Sequence, residues 1–215
     1  MNDNPYFERE ADIVRTQGNL PHWSQTAKLY FVTFRLRDSL PEYVLERFRA
    51  YCEWRERVIE LHGYVPEEKA AFEIDKHNRM MEYLDVGHGE CLLRDMNARD
   101  ILSDCIKQMD GRDCRVHCFV IMPNHVHMIL ETGDGVKVSD LVGRLKSISA
   151  HMINKSWGRK GSLWQYEIFD RLIRSAKYYW SAVRYIARNP LRCPAGTFTL
   201  VLSEEHKKSL GMGES

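Results

Sequence analysis

The sequence predicts an α+β fold, with an antiparallel or mixed sheet that carries helices on one face and leaves the other open. Three observations lead there. Short aromatic and β-branched runs alternate with segments of helical period, so strands and helices are interspersed. Two apolar runs flank a tight turn signal at Pro123-Asn124, which makes them antiparallel neighbours in a hairpin. The chain is also long enough, at 215 residues with 44% hydrophobic content, to bury a substantial core.

Taken in order, residues 1–20 are polar and aperiodic and read as an arm, followed by an anchor-like turn at Pro21-His22-Trp23. Lys28–Leu36 alternates aromatic, β-branched and polar residues and forms the first strand. Asp38-Ser39 should cap a helix that begins near Leu40-Pro41, presents Val44, Phe48, Tyr51, Trp54 and Val58, and ends near His62-Gly63. An acidic helical insertion follows over about 64–86, with Phe72, Ile74, Met80, Met81 and Leu84 as its apolar positions. After a turn at Gly87-His88-Gly89, a short strand is expected over Glu90–Arg94, then a helix over Asn97–Met109.

The hairpin strands are Cys114–Met122 and His125–Thr132. Ser139 opens a long basic helix reaching Trp157, with Leu141, Leu145, Ile148, His151, Met152 and Ile153 inward. A glycine-flanked basic loop over Gly158–Gly161 leads to an extended aromatic segment, Ser162–Arg174, and Ser175 starts a final helix. That helix must stop near Asn189, because the residue before Pro190 is pushed out of helical geometry. The main domain should therefore span 21–192, with a tail over 193–215.

Charge is unevenly distributed. From Val136 to Arg192 there are twelve Lys or Arg against Asp140, Glu167 and Asp170, a net +9 within a chain of net +1. A polyanionic partner for that segment is the natural reading. Arg144, Lys146, Lys155, Arg159, Lys160, Arg171, Arg174, Arg184 and Arg188 are candidate phosphate contacts, and Trp164, Tyr166 and Phe169 could stack on unpaired bases. No run of 18 apolar residues and no basic, apolar leader appears, so a cytoplasmic protein without a membrane partner is expected. Six scattered cysteines in a chain of this size imply reduced thiols.

Chemistry concentrates after the Pro-Asn turn. Alternate residues of a strand share a face, so His125 and His127 present two imidazoles side by side, which is half of a metal site. The final helix offers hydroxyls at Tyr178, Tyr179 and Tyr185, and of these only Tyr185 has a metal-capable side chain four residues on, Asn189. Such an i, i+4 pair shares one helix face. Two imidazoles and an amide oxygen leave positions open for phosphate oxygens, and a nearby tyrosine hydroxyl could act as nucleophile.

Met122-Pro123-Asn124-His125-Val126-His127, followed by Arg184-Tyr185-Ile186-Ala187-Arg188-Asn189-Pro190, resembles the HUH single-tyrosine transposases of insertion sequences, and more closely the REP-associated tyrosine transposases. Pro21-His22-Trp23, Tyr30–Leu36, Gly87-His88-Gly89, Leu145-Lys146-Ser147 and Leu163-Trp164-Gln165 extend the resemblance over about Leu20–Arg192. It implies a ferredoxin-like HUH nuclease fold acting on single-stranded DNA beside hairpins such as REP-like palindromes. It further implies Mg²⁺ or Mn²⁺ on His125, His127 and Asn189, a 5′-phosphotyrosine link at Tyr185, and a monomer rather than a dimer.

Two other readings compete. The fold could serve as a non-catalytic binding module for single-stranded or hairpin nucleic acid, with regulatory purpose, in which case the Tyr185 hydroxyl would turn away from the histidines. Alternatively, Cys114, Cys118, His125 and His127 could bind structural zinc, since a two-residue turn places Cys118 on the histidine face. His22, His62, His88, His117, His151 and His206 have no partner visible in the sequence and read as structural or solvated.

Overall fold

The computed structural model describes residues 27–63 and 65–212, together with Tyr6 and the backbone of two short strands, β1 (Val14–Thr16) and β2 (His22–Ser24), which pair antiparallel. The rest of the expected arm over 1–20, and the turn residue Pro21, lie outside the described residues. The chain divides into two units, one of residues 1–37 and 92–215, the other of residues 38–91.

The first unit is built on a five-stranded antiparallel sheet. Its strands are β3 (Leu29–Arg35), β4 (Cys114–Ile121), β5 (His125–Thr132), β6 (Phe169–Leu172) and β7 (Thr199–Val201), in the order β6-β3-β5-β4-β7. The β4–β5 hairpin turns on Pro123-Asn124, closed by the amide of Met122 donating to the carbonyl of His125 at 2.8 Å. β5 is thus the central strand. Both of its edges are paired, and it forms the most constrained platform the sheet offers.

One face of the sheet packs on α3 (Met96–Met109) and α4 (Val138–Ser156). Tyr30, Val32, Phe34, Phe119, Ile121, Val126, Met128 and Leu130 meet Leu102, Ile106, Leu141, Val142, Leu145 and Ile153 there. The other face is not open. It carries Leu29, Phe31, Val120, Met122 and Ile129, which are covered by Val183 and Ile186 of α5 (Ala176–Arg188). Coverage on both faces explains why β3 and β5 read as near-continuous apolar runs.

Several elements differ from expectation. Glu90–Arg94 forms no strand; Leu92–Arg94 is a turn of 3₁₀ helix leading to α3, which Asp95 caps by accepting from the Ala98 amide at 3.1 Å. In α4 the inward face holds Lys146 and Ser149, whereas Ile148, His151 and Met152 point outward. The segment 193–215, expected as a tail, contains regular structure. It supplies β7 and a short helix α6 (Glu204–Ser209), held to α3 by the buried Arg99. That guanidinium donates to the carbonyls of Leu93, Arg94 and Gly196 and to the Thr199 hydroxyl, at 2.6–3.1 Å.

The second unit is a helical hairpin of α1 (Glu42–Leu61) and α2 (Pro66–Asp85). Cys52, Ile59 and Phe72 form its small core with Phe48 and Tyr51. The Tyr51 hydroxyl donates to Asp75, and Arg79 lies 4.2 Å over the Tyr51 ring. Trp54 is 55% exposed and Ile74 is 41% exposed, because the buried stripe runs through Val44, Cys52 and Ile59 instead. Asp38 does not cap α1, whose N-cap is Pro41; its carboxylate accepts the Glu90 amide at 2.8 Å. Gly89, at φ +85°, brings its backbone so close that an added Cβ would lie 2.4 Å from the Asp38 carbonyl oxygen, so the Gly-His-Gly turn requires glycine there.

Candidate active site

His125 and His127 point from β5 toward α5 with ring centroids 4.6 Å apart, and both are buried. Each ring is held at Nδ1. The Nδ1 of His125 is 2.7 Å from Asn124 Oδ1, an acceptor, so this nitrogen carries the proton and leaves a lone pair on Nε2. The Nδ1 of His127 is 2.7 Å from the Thr33 hydroxyl. Such partners fix the tautomer and orientation of ligating histidines. Burial holds His125 neutral by lowering its pKa to about 3.

The final helix completes the arrangement. Ser175 caps α5 by accepting from the Tyr178 amide, and one face of the helix is apolar, which turns Tyr185 onto the sheet. The Tyr185 ring stands edge-on to His127 with centroids 5.1 Å apart, and Phe31 packs against both rings. Asn189 follows one turn later at the end of α5, with its amide donating to the Tyr185 carbonyl. His125, His127 and Tyr185 are therefore brought together within one chain, and Asn189 follows one helical turn after Tyr185.

The polar atoms they present are buried, and His125 Nε2 and Asn189 Oδ1 have no hydrogen-bond partner among the described residues. A buried polar atom left without a partner is costly, and two imidazole nitrogens with an amide oxygen form a donor set that fits a divalent cation. The zinc reading fares differently. Cys118 does lie on the histidine face, but in an apolar cluster that pushes its thiol up to about 12. A β-bulge between Val116 and Cys118 shifts the register, and Cys114 packs into the cluster on the opposite face, its thiol also near 12. Among the described residues no three His, Cys, Asp or Glu converge on a metal position.

The other hydroxyl candidates serve elsewhere. Tyr178 is exposed beneath Arg171, whose Cζ lies 5.4 Å from its ring. Tyr179 joins two histidines whose partners are not visible in the sequence. Ser203 donates its amide to His206 Nδ1, so His206 Nε2 donates to the Tyr179 oxygen at 2.7 Å, and Tyr179 donates to His117 Nδ1 at 3.0 Å. His117 Nε2 then faces Glu131 at 3.5 Å. This relay ties α5 to the sheet and to α6.

The expected DNA contacts separate into two groups. Lys155, Arg159, Lys160, Tyr166, Arg174, Arg184 and Arg188 are exposed, Tyr166 at 94%, and Arg171 is half-buried. Arg144 is engaged by Asp113 at 2.5 Å. Two expectations are corrected. Lys146 is 9% exposed and donates to the carbonyls of Gln165, Tyr166 and Glu167, so it fastens a loop rather than meeting a phosphate. Trp164 is buried edge-on to Phe34 and donates to Ser149 at 3.1 Å, which removes it as a stacking platform. Phe169 packs beside the apolar cluster under α5. Thr33 and Asn124 hold the two imidazoles and do not stand out in the sequence; Thr33 is a polar residue within the otherwise apolar β3, and Asn124 is the turn residue beside His125.

Residues 92–189 match the family model described as transposase IS200 like, and that segment holds all four candidate residues His125, His127, Tyr185 and Asn189. An uncharacterized protein of Haemophilus influenzae is 30% identical over 103 residues, 36% of this chain and 54% of the relative, so the chain spans about half the length of the curated relative it matches. Among solved structures, one of a REP-associated tyrosine transposase bound to a REP hairpin aligns with 82% of this chain and 74% of its own, at 15% identity and a TM-score of 0.46. A transposase candidate from Deinococcus radiodurans R1 aligns with 75% and 89%, at 16% identity and a TM-score of 0.35. No described helix is long and apolar enough to cross a membrane.

Proposed function

We propose that the chain is a REP-associated tyrosine transposase, a metal-dependent enzyme that cleaves and rejoins single-stranded DNA beside a hairpin through Tyr185. The observation that carries this reading is the Tyr185 ring 5.1 Å from His127, with Asn189 one turn away, inside a segment of IS200-like transposase sequence. Because one chain supplies both the histidines and the tyrosine, a monomer suffices.

In this mechanism His125, His127 and Asn189 would hold a divalent cation, which would supply Lewis-acid polarisation of the scissile phosphodiester. Of Mg²⁺ and Mn²⁺, the imidazole pair favours Mn²⁺, since Mg²⁺ prefers an all-oxygen shell. The Tyr185 oxygen attacks phosphorus as the P–O3′ bond breaks. The phenol gives up its proton, and the departing 3′ oxygen takes one up. The products are a 5′-phosphotyrosine and a free 3′-hydroxyl, and attack by a second 3′-hydroxyl reverses the step on a new strand. Asn124 and Thr33 keep both imidazoles oriented, and Phe31 positions the phenol ring. Lys155, Arg159, Lys160, Arg174, Arg184 and Arg188 supply the surface for the phosphate backbone, with Tyr166 free to stack on an unpaired base.

Incubation with candidate hairpin oligonucleotides and Mn²⁺ should give a covalent protein–DNA adduct that is absent from Tyr185→Phe. An adduct that persists in that variant rejects Tyr185 as nucleophile.

A further inference from the structure

The pairing of β3 with β6 ends at Thr33 and Phe169, and the two segments meet again at a bridge between Leu36 and Trp164. Between those points two residues on one side, Phe34 and Arg35, face four on the other, residues 165–168. The extra residues make a bulge at the edge of the sheet, where β6 is the outermost strand. Across β3 the same stretch pairs with the histidines, Thr33 opposite His127 and Arg35 opposite His125. The bulge is therefore level with the histidine pair and two strand spacings from it, about 10 Å across the sheet.

Tyr166 stands on this bulge and is 94% exposed. A single exposed aromatic residue is ordinary on a protein surface, but the backbone beneath this one is fastened on every side. Leu163, Trp164 and Ile168 are buried around it, the Arg37 amide donates to the Leu163 carbonyl at 2.9 Å, and the Gln165 amide donates to the Arg35 carbonyl at 3.0 Å. From α4, Lys146 donates to the carbonyls of Gln165, Tyr166 and Glu167 at 2.5, 2.8 and 3.5 Å. Lysine is seldom buried unless its ammonium is satisfied, and here consecutive carbonyls of one loop satisfy it. The ring is thus carried on a loop that is ordered before any ligand arrives, so a stacking ligand does not bear the cost of ordering it.

The surrounding segment carries exposed cations at Arg159, Lys160 and Arg174, which suit a ligand that combines a flat face with phosphates. We infer that the bulge is a preformed nucleobase step: Tyr166 stacks on an unpaired base within about three nucleotides of the scissile phosphate, and Lys146 is the positioning residue that holds the step in place. The inference rests on the single-strand cleavage reading given above and adds the residues that grip the strand beside the cut.

The test measures fluorescence anisotropy of two labelled probes with metal-free protein: an oligothymidylate, and a chain of equal length whose nucleotides are all abasic tetrahydrofuran units. Tyr166→Ala should weaken oligothymidylate binding about 5- to 150-fold and leave abasic binding unchanged, while Tyr166→Trp keeps the preference for bases. Lys146→Met, at a temperature where it is folded, should also lower the ratio of the two affinities, and should lower it no further when added to Tyr166→Ala. A lysine serving only the fold would leave that ratio unmoved, and an unmoved ratio overturns the positioning role. An equal loss on both probes in Tyr166→Ala, or no loss, overturns the stacking step. Should Lys146→Met unfold, the two probes on Tyr166→Ala still decide the inference, because that ring is exposed. A Tyr185 adduct together with unmoved binding in Tyr166→Ala overturns this inference alone; a missing adduct together with the expected Tyr166→Ala loss overturns the cleavage reading instead.

Discussion

Tyr185 and His127 lie 58 positions apart in the sequence, yet their rings meet edge-on at 5.1 Å within one chain. The contact is a product of two simple periodicities: alternation along β5, which puts His127 on the face beneath α5, and the helical repeat of α5, which puts Tyr185 over it.

Thr33 holds His127 from the neighbouring strand, through a buried 2.7 Å contact to Nδ1. Thr33→Val keeps the shape and removes the hydroxyl, so the imidazole loses its fixed orientation. Mn²⁺ affinity measured by calorimetry should fall by about 10- to 100-fold, with a loss of stability of about 1–3 kcal/mol from the buried nitrogen left unbonded.

Buried and neutral, His125 makes metal-free protein sensitive to acid. Its folded pKa is lowered from 6.5 to about 3, so below pH 6.5 the unfolded chain binds a proton that the folded chain does not. Stability is therefore lost as pH falls from about 6.5 toward 3, by about 1.4 kcal/mol per unit for one proton. His117 and His206 are shifted in the same direction by burial. Denaturant titrations of chelator-treated protein and of His125→Asn should diverge over this window, the variant showing the shallower slope.

Removing the Tyr179 hydroxyl breaks the relay between His117 and His206. Tyr179→Phe should destabilise the fold by about 1–3 kcal/mol, because two partly buried imidazoles lose a partner. Adduct formation at a temperature where the variant is folded should persist, since Tyr185 is the residue on the histidine pair.

Lys146 and Arg159 should separate in a salt titration of single-stranded DNA binding. Arg159→Ala removes an exposed cation and should lower the slope of log affinity against log salt by about 1. Lys146→Met should leave the slope unchanged and lower thermal stability, as the carbonyls of Gln165 and Tyr166 lose their donor.

The α+β class, the hairpin and the shared face of His125 and His127 were legible because each depends on a short-range period or turn. What escaped depends on long-range packing. Lys146 looks solvated in a basic helix, and only the fold reveals three carbonyls gathered within its reach. Trp164 looks like a stacking platform until Phe34 and Ser149 enclose it. β7 is three residues long, too short to carry a period, and its position is set by Arg99 reaching across from α3. The bulge at His117 decided the zinc question, because one extra residue moves Cys114 to the opposite face.

The most direct measurement of the central claim is mass spectrometry of the protein after incubation with a hairpin-bearing single strand and Mn²⁺. A DNA fragment attached through phosphate to the peptide containing Tyr185, lost in Tyr185→Phe and in His127→Ala, is the predicted result. Cleaved DNA with no attached peptide, or attachment at another residue, would contradict it.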